Sequence, residues 1–337
     1  MMRFHTIRFY SYEAPFKHPI KTPKVNLNSR KVLVIELVNE AGTSYFGEAN
    51  AFETDWYDKE TIESVYTSIK DWFYHHLKGQ DVTDFEEAAD YLNALDAAPT
   101  ARSTAAMALF QAFHILPAFD VAYGATISGL SEDNYQQLLS TQPKRIKLKW
   151  SQHVLEDLKQ LQALPFQPEL ALDANESLTE LDSESLKQVH AGANLLYIEE
   201  PFKDLNILNA IDSAQIPPVA LDEKARDLET ILKYVQDYPI DTVVLKPFRL
   251  GGIDKVLTAI EKLEQYNIKV VIGGMYEFGL SRYFTAYLSR FTDYPGDVTP
   301  YGYYFEQEFV SKNGILKEGH IHFVPPEVNV QLLNAYE

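Results

Sequence analysis

The chain contains no cysteine, which excludes disulfides, thiolate metal sites and a cysteine nucleophile together. It is short of positive charge: 30 Lys and Arg stand against 48 Asp and Glu, a formal net charge of −18. That balance argues against a general affinity for phosphate backbones or anionic membranes. No apolar run approaches the roughly 18 residues that cross a bilayer. The opening MMRFHTIRFY alternates charged and apolar side chains and has no signal-peptide apolar core. The 21 Tyr and 19 Phe are not grouped with Lys or Arg into stacking motifs, so nucleic acid is not an expected partner. What remains is ordinary globular composition, 46% hydrophobic and 23% charged over 337 residues. That length suits two domains, or one α/β barrel with additions. A soluble, cytoplasmic protein with no membrane partner is expected.

The first hundred residues differ from the rest. Residues 1–10 and 31–52 carry strand patterns, and Gly42 lies between two β-rich runs, so a hairpin or meander is expected there. Residues 11–26 are rich in Pro and Lys and read as a mobile loop that orders when substrate binds. Helical periodicity follows over 61–77, with Ile62, Val65, Ile69, Trp72 and Phe73 on one face, then over 85–95 and 105–116. Strands followed by helices suggest a separate α+β unit over residues 1–120, onto which 310–337 is expected to pack back.

From residue 121 the rhythm becomes strand–helix. Short apolar runs recur at 145–150, 169–175, 195–201, 218–224, 242–248 and 269–275, separated by amphipathic stretches. Several lack polar alternation, as parallel strands buried on both faces do. The central runs end in Lys149, Asp173, Glu199, Asp222 and Lys246, spaced by 24, 26, 23 and 24 residues. One βα unit has about that length, so each charge falls at the C-terminal end of a successive strand. A closed (β/α)8 barrel would gather them at one mouth, where barrel active sites lie. With 127–130 in the first strand, Lys149 ends the second and Lys246 the sixth, across the barrel from each other. Residues 121–309 are therefore expected to form the barrel.

Three carboxylates drawn together repel unless a cation holds them. An all-oxygen set from Asp173, Glu199 and Asp222 suits Mg²⁺, with Mn²⁺ as a substitute. Lys147 and Lys149 are two apart on one strand and point the same way, so each is expected to lower the other's pKa and leave a lysine able to act as a base. A small carboxylate with such a lysine beside its α-carbon is set up for proton abstraction. Any one of these charges alone reads as a solvated loop residue or a helix cap; the five at one period do not. His320 and His322 share a strand face and read as a surface or partner-facing pair. Gly251–Gly252 reads as a tight βα turn. A Schiff-base barrel using Lys149 or Lys246 is a competing reading, but it leaves the carboxylates unexplained. A non-catalytic binding barrel is a third reading, in which Asp173→Asn or Glu199→Gln would leave ligand affinity intact.

The series KxK (Lys147, Lys149), DAN (173–175), EEP (199–201), DE (Asp222, Glu223) and KP (Lys246, Pro247) resembles the enolase superfamily, in its muconate-lactonizing-enzyme subgroup. FGEAN (46–50), GGMYEFGLSR (273–282) and DYPGDV (293–298) are similar to the o-succinylbenzoate synthase and N-succinylamino acid racemase branch. The resemblance implies a modified TIM barrel with an N-terminal α+β capping domain, and a homo-oligomer is possible in such a family. It implies Mg²⁺ on Asp173, Glu199 and Asp222, Lys149 as base and then acid, Lys147 tuning Lys149, and Lys246 stabilising the anion from the opposite side. The reaction implied is syn dehydration of 2-succinyl-6-hydroxy-2,4-cyclohexadiene-1-carboxylate to o-succinylbenzoate in menaquinone biosynthesis. N-succinylamino acid racemisation or dipeptide epimerisation is the alternative. Tyr276 and Phe278 depart from the smaller residues that relatives carry in this segment.

Overall fold

A computed structural model describes residues 1–22 and 25–337. The N-terminal sheet is antiparallel. β1 (Met2–Lys21) pairs with β2 (Asn26–Asn39), and β2 with β3 (Ser44–Glu48) around Gly42, whose φ of 80° suits a residue without a Cβ. The short β4 (Asp81–Val82) also pairs with β1. Helices α1 (Ile62–Trp72), α2 (Phe85–Leu92) and α3 (Pro99–Phe113) cover one face. Ile35, Leu37, Ile69, Trp72, Phe73 and Leu109 share its core. Thr61 and Ser64 cap α1 reciprocally, and the Asp84 side chain caps α2. The third helix starts at Pro99, earlier than the expected 105, because proline suits a first helical turn and the small residues behind it are buried on every side.

The expected loop at 11–26 is instead the far end of a long hairpin, apart from 23–24, which lie outside the described residues. Tyr12, Ala14 and Phe16 are buried while Glu13, Pro15 and Lys17 are exposed. This period of two marks a half-buried strand beneath a loop-like composition.

β5 (Phe119–Ala122) pairs with β14 (His320–Phe323), which pairs with β13 (Ile315–Lys317). His320 and His322 lie on its exposed face, where His322 Nδ1 is 3.0 Å from Asp120 Oδ1. β15 (Asn334–Ala335) returns to the first sheet and pairs with β1.

Seven parallel strands follow in spatial order: β6 (Gly124–Ile127), β7 (Arg145–Lys149), β8 (Glu169–Asp173), β9 (Leu195–Glu199), β10 (Val219–Leu221), β11 (Thr242–Leu245) and β12 (Lys269–Ile272). Helices α4 (Glu132–Thr141), α5 (Val154–Gln162), α6 (Ser183–Gly192), α7 (Asn206–Ala210), α8 (Leu228–Asp237), α9 (Pro247–Leu250), α10 (Ile253–Glu264) and α11 (Gly279–Ser289) alternate with them. The first strand covers 124–127 rather than 127–130, and Gly129 turns away at φ 148°. The sheet curls, and its eighth place is held by one parallel bridge, Gly273 to Asp297, not by a full strand. Ala171, Tyr197, Ala220, Val244 and Val271 form a separate buried cluster on one face of the strands, while the opposite residues join the large core. No helix among the described residues is long and apolar enough to cross a membrane.

Candidate active site

The charged residues stand two positions beyond that inner cluster. Side chains alternate along a strand, so Asp173 follows Ala171, Glu199 follows Tyr197, Asp222 follows Ala220 and Lys246 follows Val244 on the same face. Lys149 and Asp173 are register partners, as are Asp173 and Glu199. All five expected groups therefore lie at one end of adjacent strands. Three carboxylate-bearing strands separate Lys149 from Lys246.

The two lysines of β7 differ sharply. The Lys149 side chain is exposed and makes no hydrogen bond or ion pair among the described residues. Lys147 is buried and donates to Glu199 Oε2 at 2.8 Å and to Asp297 Oδ2 at 2.7 Å. Burial alone would lower its pKa, but Asp297 and Glu199 outweigh burial and raise it well above the usual lysine value. The expected mutual depression of the two ammonium groups is therefore not what governs Lys147: two carboxylates neutralise it.

Lys246 donates to Asp222 Oδ2 at 2.5 Å and to the Tyr57 hydroxyl at 3.0 Å. Arg249, one turn later, reaches Asp222 Oδ1 at 3.1 Å, the Asp222 carbonyl at 2.6 Å and Tyr57 at 2.8 Å. Burial would raise the Asp222 carboxyl, but these two cations hold it down at about 2. Gly273 leaves room for the Lys246 chain, since a Cβ there would lie 2.9 Å from Lys246 Cε. Gly251 and Gly252, at φ 99° and 126°, form the expected tight turn. Burial pushes Glu199 well above the carboxylate range; Lys147 opposes the rise, and Asp173, Asp222 and Asp297 add to it.

Among the described residues no three acidic or histidine side chains close into a ready coordination set, because Glu199 and Asp222 are each turned to cations of their own. The donor chemistry nonetheless fits a hard divalent ion: three carboxylates on adjacent strands, with Glu223 beside them. Glu223 Oε2 is buried with no hydrogen-bond partner among the described residues, and its Oε1 is 3.5 Å from Asn175 Nδ2.

Sequence reasoning missed Asp297, Arg145, Arg249 and Tyr57. Asp297 binds Arg145 Nη2 at 2.5 Å as well as Lys147, and Arg145 Nη1 donates to the Tyr197 hydroxyl at 2.9 Å. Arg145 was detectable from its position two before Lys147 on the same strand. The cap segment 46–50, singled out from sequence, reaches the barrel. Glu48 accepts from the Phe278 and Ser281 N–H groups, and Asn50 Nδ2 donates to Glu277 at 3.2 Å and Ser281 at 2.8 Å. Glu277 also accepts from Ser281 and Thr285.

The family described as Enolase C-terminal domain-like matches residues 132–327. The chain is 24% identical to o-succinylbenzoate synthase of Bacillus subtilis, covering 100% of this chain and 97% of that one. It is 25% identical to N-succinylamino acid racemase of Thermus thermophilus, covering 94% and 91%. Among solved structures, dipeptide epimerase from Enterococcus faecalis, complexed with Mg and the dipeptide L-Leu-L-Tyr, superposes with a TM-score of 0.79 at 19% identity over 99% of this chain and 100% of that one. With its curled parallel sheet, its antiparallel cap and the five charges at one strand end, this chain belongs to the enolase superfamily.

Proposed function

We propose that the protein is an o-succinylbenzoate synthase, dehydrating 2-succinyl-6-hydroxy-2,4-cyclohexadiene-1-carboxylate in menaquinone biosynthesis. The carrying observation is the contrast between Lys149, exposed and unpaired among the described residues, and Lys246, buried against Asp222 four strands away. Asp173, Glu199 and Asp222 would hold Mg²⁺, which would supply positive charge to the substrate carboxylate as the α-proton leaves. Lys149 takes that proton and returns it to the departing hydroxide from the same face, a syn elimination. Lys246 faces the anion from the opposite side, and Lys147, fixed by Glu199 and Asp297, contacts the carboxylate. In the same reading residues 1–120 with 310–337 form the cap and 121–309 the catalytic unit, and the β15–β1 pairing supports that division. The reading places the enzyme in the cytoplasm.

A second reading, racemisation of an N-succinylamino acid, is favoured by the lysines on both sides of the carboxylate strands and by the Thermus thermophilus relative. Dipeptide epimerisation would use the same groups. The ultraviolet absorbance of the cyclohexadiene carboxylate, followed with Mg²⁺ beside Lys149→Ala, tests the first reading. Conversion lost in the variant supports it. No conversion by folded, metal-loaded protein, with α-proton exchange on N-succinylamino acids in deuterated solvent, transfers the assignment to the second.

A further inference from the structure

Lys224 stands outside the charges considered so far. It follows Asp222 by two residues, and its ammonium donates to Glu200 Oε2 at 2.8 Å, to the Phe202 carbonyl at 3.1 Å and to Glu176. Glu200 directly follows Glu199 and is fully buried. Glu176 follows Asp173 by three residues. Each loop leaving a carboxylate-bearing strand thus contributes one member of a single ion cluster, and both acidic members are tied to Lys224. Glu200 Oε1 also accepts the backbone N–H of Asp222 at 2.9 Å and of Lys224 at 3.0 Å.

The backbone laces the same loops. Glu176 N–H donates to the Glu200 carbonyl at 2.6 Å, Leu178 to Pro201 at 3.0 Å and Glu200 to Ala220 at 2.9 Å. Glu176 and Glu200 hold φ values of 60° and 40°, a region that side-chain-bearing residues keep only when surrounding contacts enforce it. A simple staple could sit anywhere along these loops. This one sits one to three residues from each of the three carboxylates and joins all three loops.

We propose that Lys224 is a positioning residue for the divalent cation: through Glu200 and Glu176 it sets the spacing of Asp173, Glu199 and Asp222. The proposal rests on the cation reading of those three residues. Outer partners that orient ligands typically change metal affinity by about ten- to a hundredfold when removed.

The test is Mn²⁺ binding to the full chain without substrate, read from the loss of the free-ion electron paramagnetic resonance signal. Lys224→Met is expected to bind Mn²⁺ about ten- to a hundredfold more weakly than wild type, with Lys224→Arg closer to wild type. Should Lys224→Met not fold, Lys224→Met/Glu200→Gln, which leaves no unpaired buried charge, is read in the same way. The buried pair Arg282–Glu308 (2.9 Å) serves as control, and Arg282→Met/Glu308→Gln is expected to leave Mn²⁺ affinity unchanged. Equal affinity in wild type and a folded Lys224 variant overturns the proposal and leaves the cation reading intact, and an equal loss in the control pair overturns it too. Wild-type protein that does not bind Mn²⁺, or binding untouched by Asp173→Asn, overturns both.

Discussion

Glu48, the last residue of β3 in the cap, closes the N-terminus of barrel helix α11: its Oε1 accepts the Phe278 N–H at 2.8 Å and its Oε2 the Ser281 N–H at 2.9 Å. A helix start leaves N–H groups unpaired, and here another part of the chain pairs two of them. Burial pushes the Glu48 carboxyl up to about 7; the two N–H bonds and Arg30 hold it back, and Glu277 adds to the rise.

A pH dependence follows. The folded chain holds the Glu48 proton more tightly than the unfolded chain, whose carboxyl has the ordinary value of 4.5. Its contribution to stability is therefore complete below that value and is lost as pH rises through about 7. Glu48→Gln is neutral throughout. Between about pH 5 and about pH 8 it is expected to lose on the order of 3 kcal/mol less stability than wild type. Urea unfolding at several pH values checks this, and parallel stability profiles would refute it.

Lys149→Ala separates catalysis from stability. The side chain is exposed and makes no ion pair among the described residues, so unfolding free energy is expected to change by no more than about 0.5 kcal/mol. Turnover is expected to fall by roughly 10²–10⁴-fold, the range for losing a general acid–base group. A matched thermal melt and absorbance assay gives both values.

Asp297→Asn has the opposite profile. It leaves Arg145, wholly buried, without its carboxylate, and breaking one side of such a buried pair costs about 3–5 kcal/mol. Denaturant unfolding is expected to show that loss, with reduced turnover because Lys147 also loses a partner.

Divalent ion is expected to stabilise the fold by mass action, about 2.7 kcal/mol at a hundred times its dissociation constant. EDTA should reverse this. Melting of Glu199→Gln should be far less sensitive to added Mg²⁺.

The glycine of the FGEAN segment is a close-approach residue. A Cβ on Gly47 would lie 2.1 Å from the Thr104 carbonyl oxygen, in rigid helix backbone. Gly47→Ala is expected to destabilise by about 1–3 kcal/mol, measured by thermal or urea unfolding, because β3 must move off α3.

The five strand-end charges were legible because a parallel strand buried on both faces reads as an apolar run, and a charge closing it has few other places to go. Asp297 was not legible in this way. Its strand is reduced to a single bridge, so no apolar run marks it, and its importance comes from Arg145 and Lys147 across the gap. The 11–26 hairpin was hidden by Pro15, Pro19 and four lysines and histidines, although Tyr12, Ala14 and Phe16 keep the strand alternation. Lys224 was invisible for a different reason. Its partners are 24 and 48 residues away, and only the convergence of successive strand ends makes them neighbours.

The missing eighth strand has a kinetic consequence. Where other neighbours in the sheet are joined by hydrogen-bond ladders, the segment at Asp297 meets β12 through two amide bonds, Asp297 to the Ile272 carbonyl at 2.8 Å and Asp293 to the Val270 carbonyl at 3.1 Å, and is tied to β7 by the Arg145 and Lys147 ion pairs. Opening that seam breaks few amide bonds, so transient separation there is less costly than peeling any inner strand. Amide protons of β6 and β12 should exchange with deuterium before those of β8 to β10, and added salt should change the difference little, because Arg145 and Lys147, the cations of the seam's ion pairs, are buried.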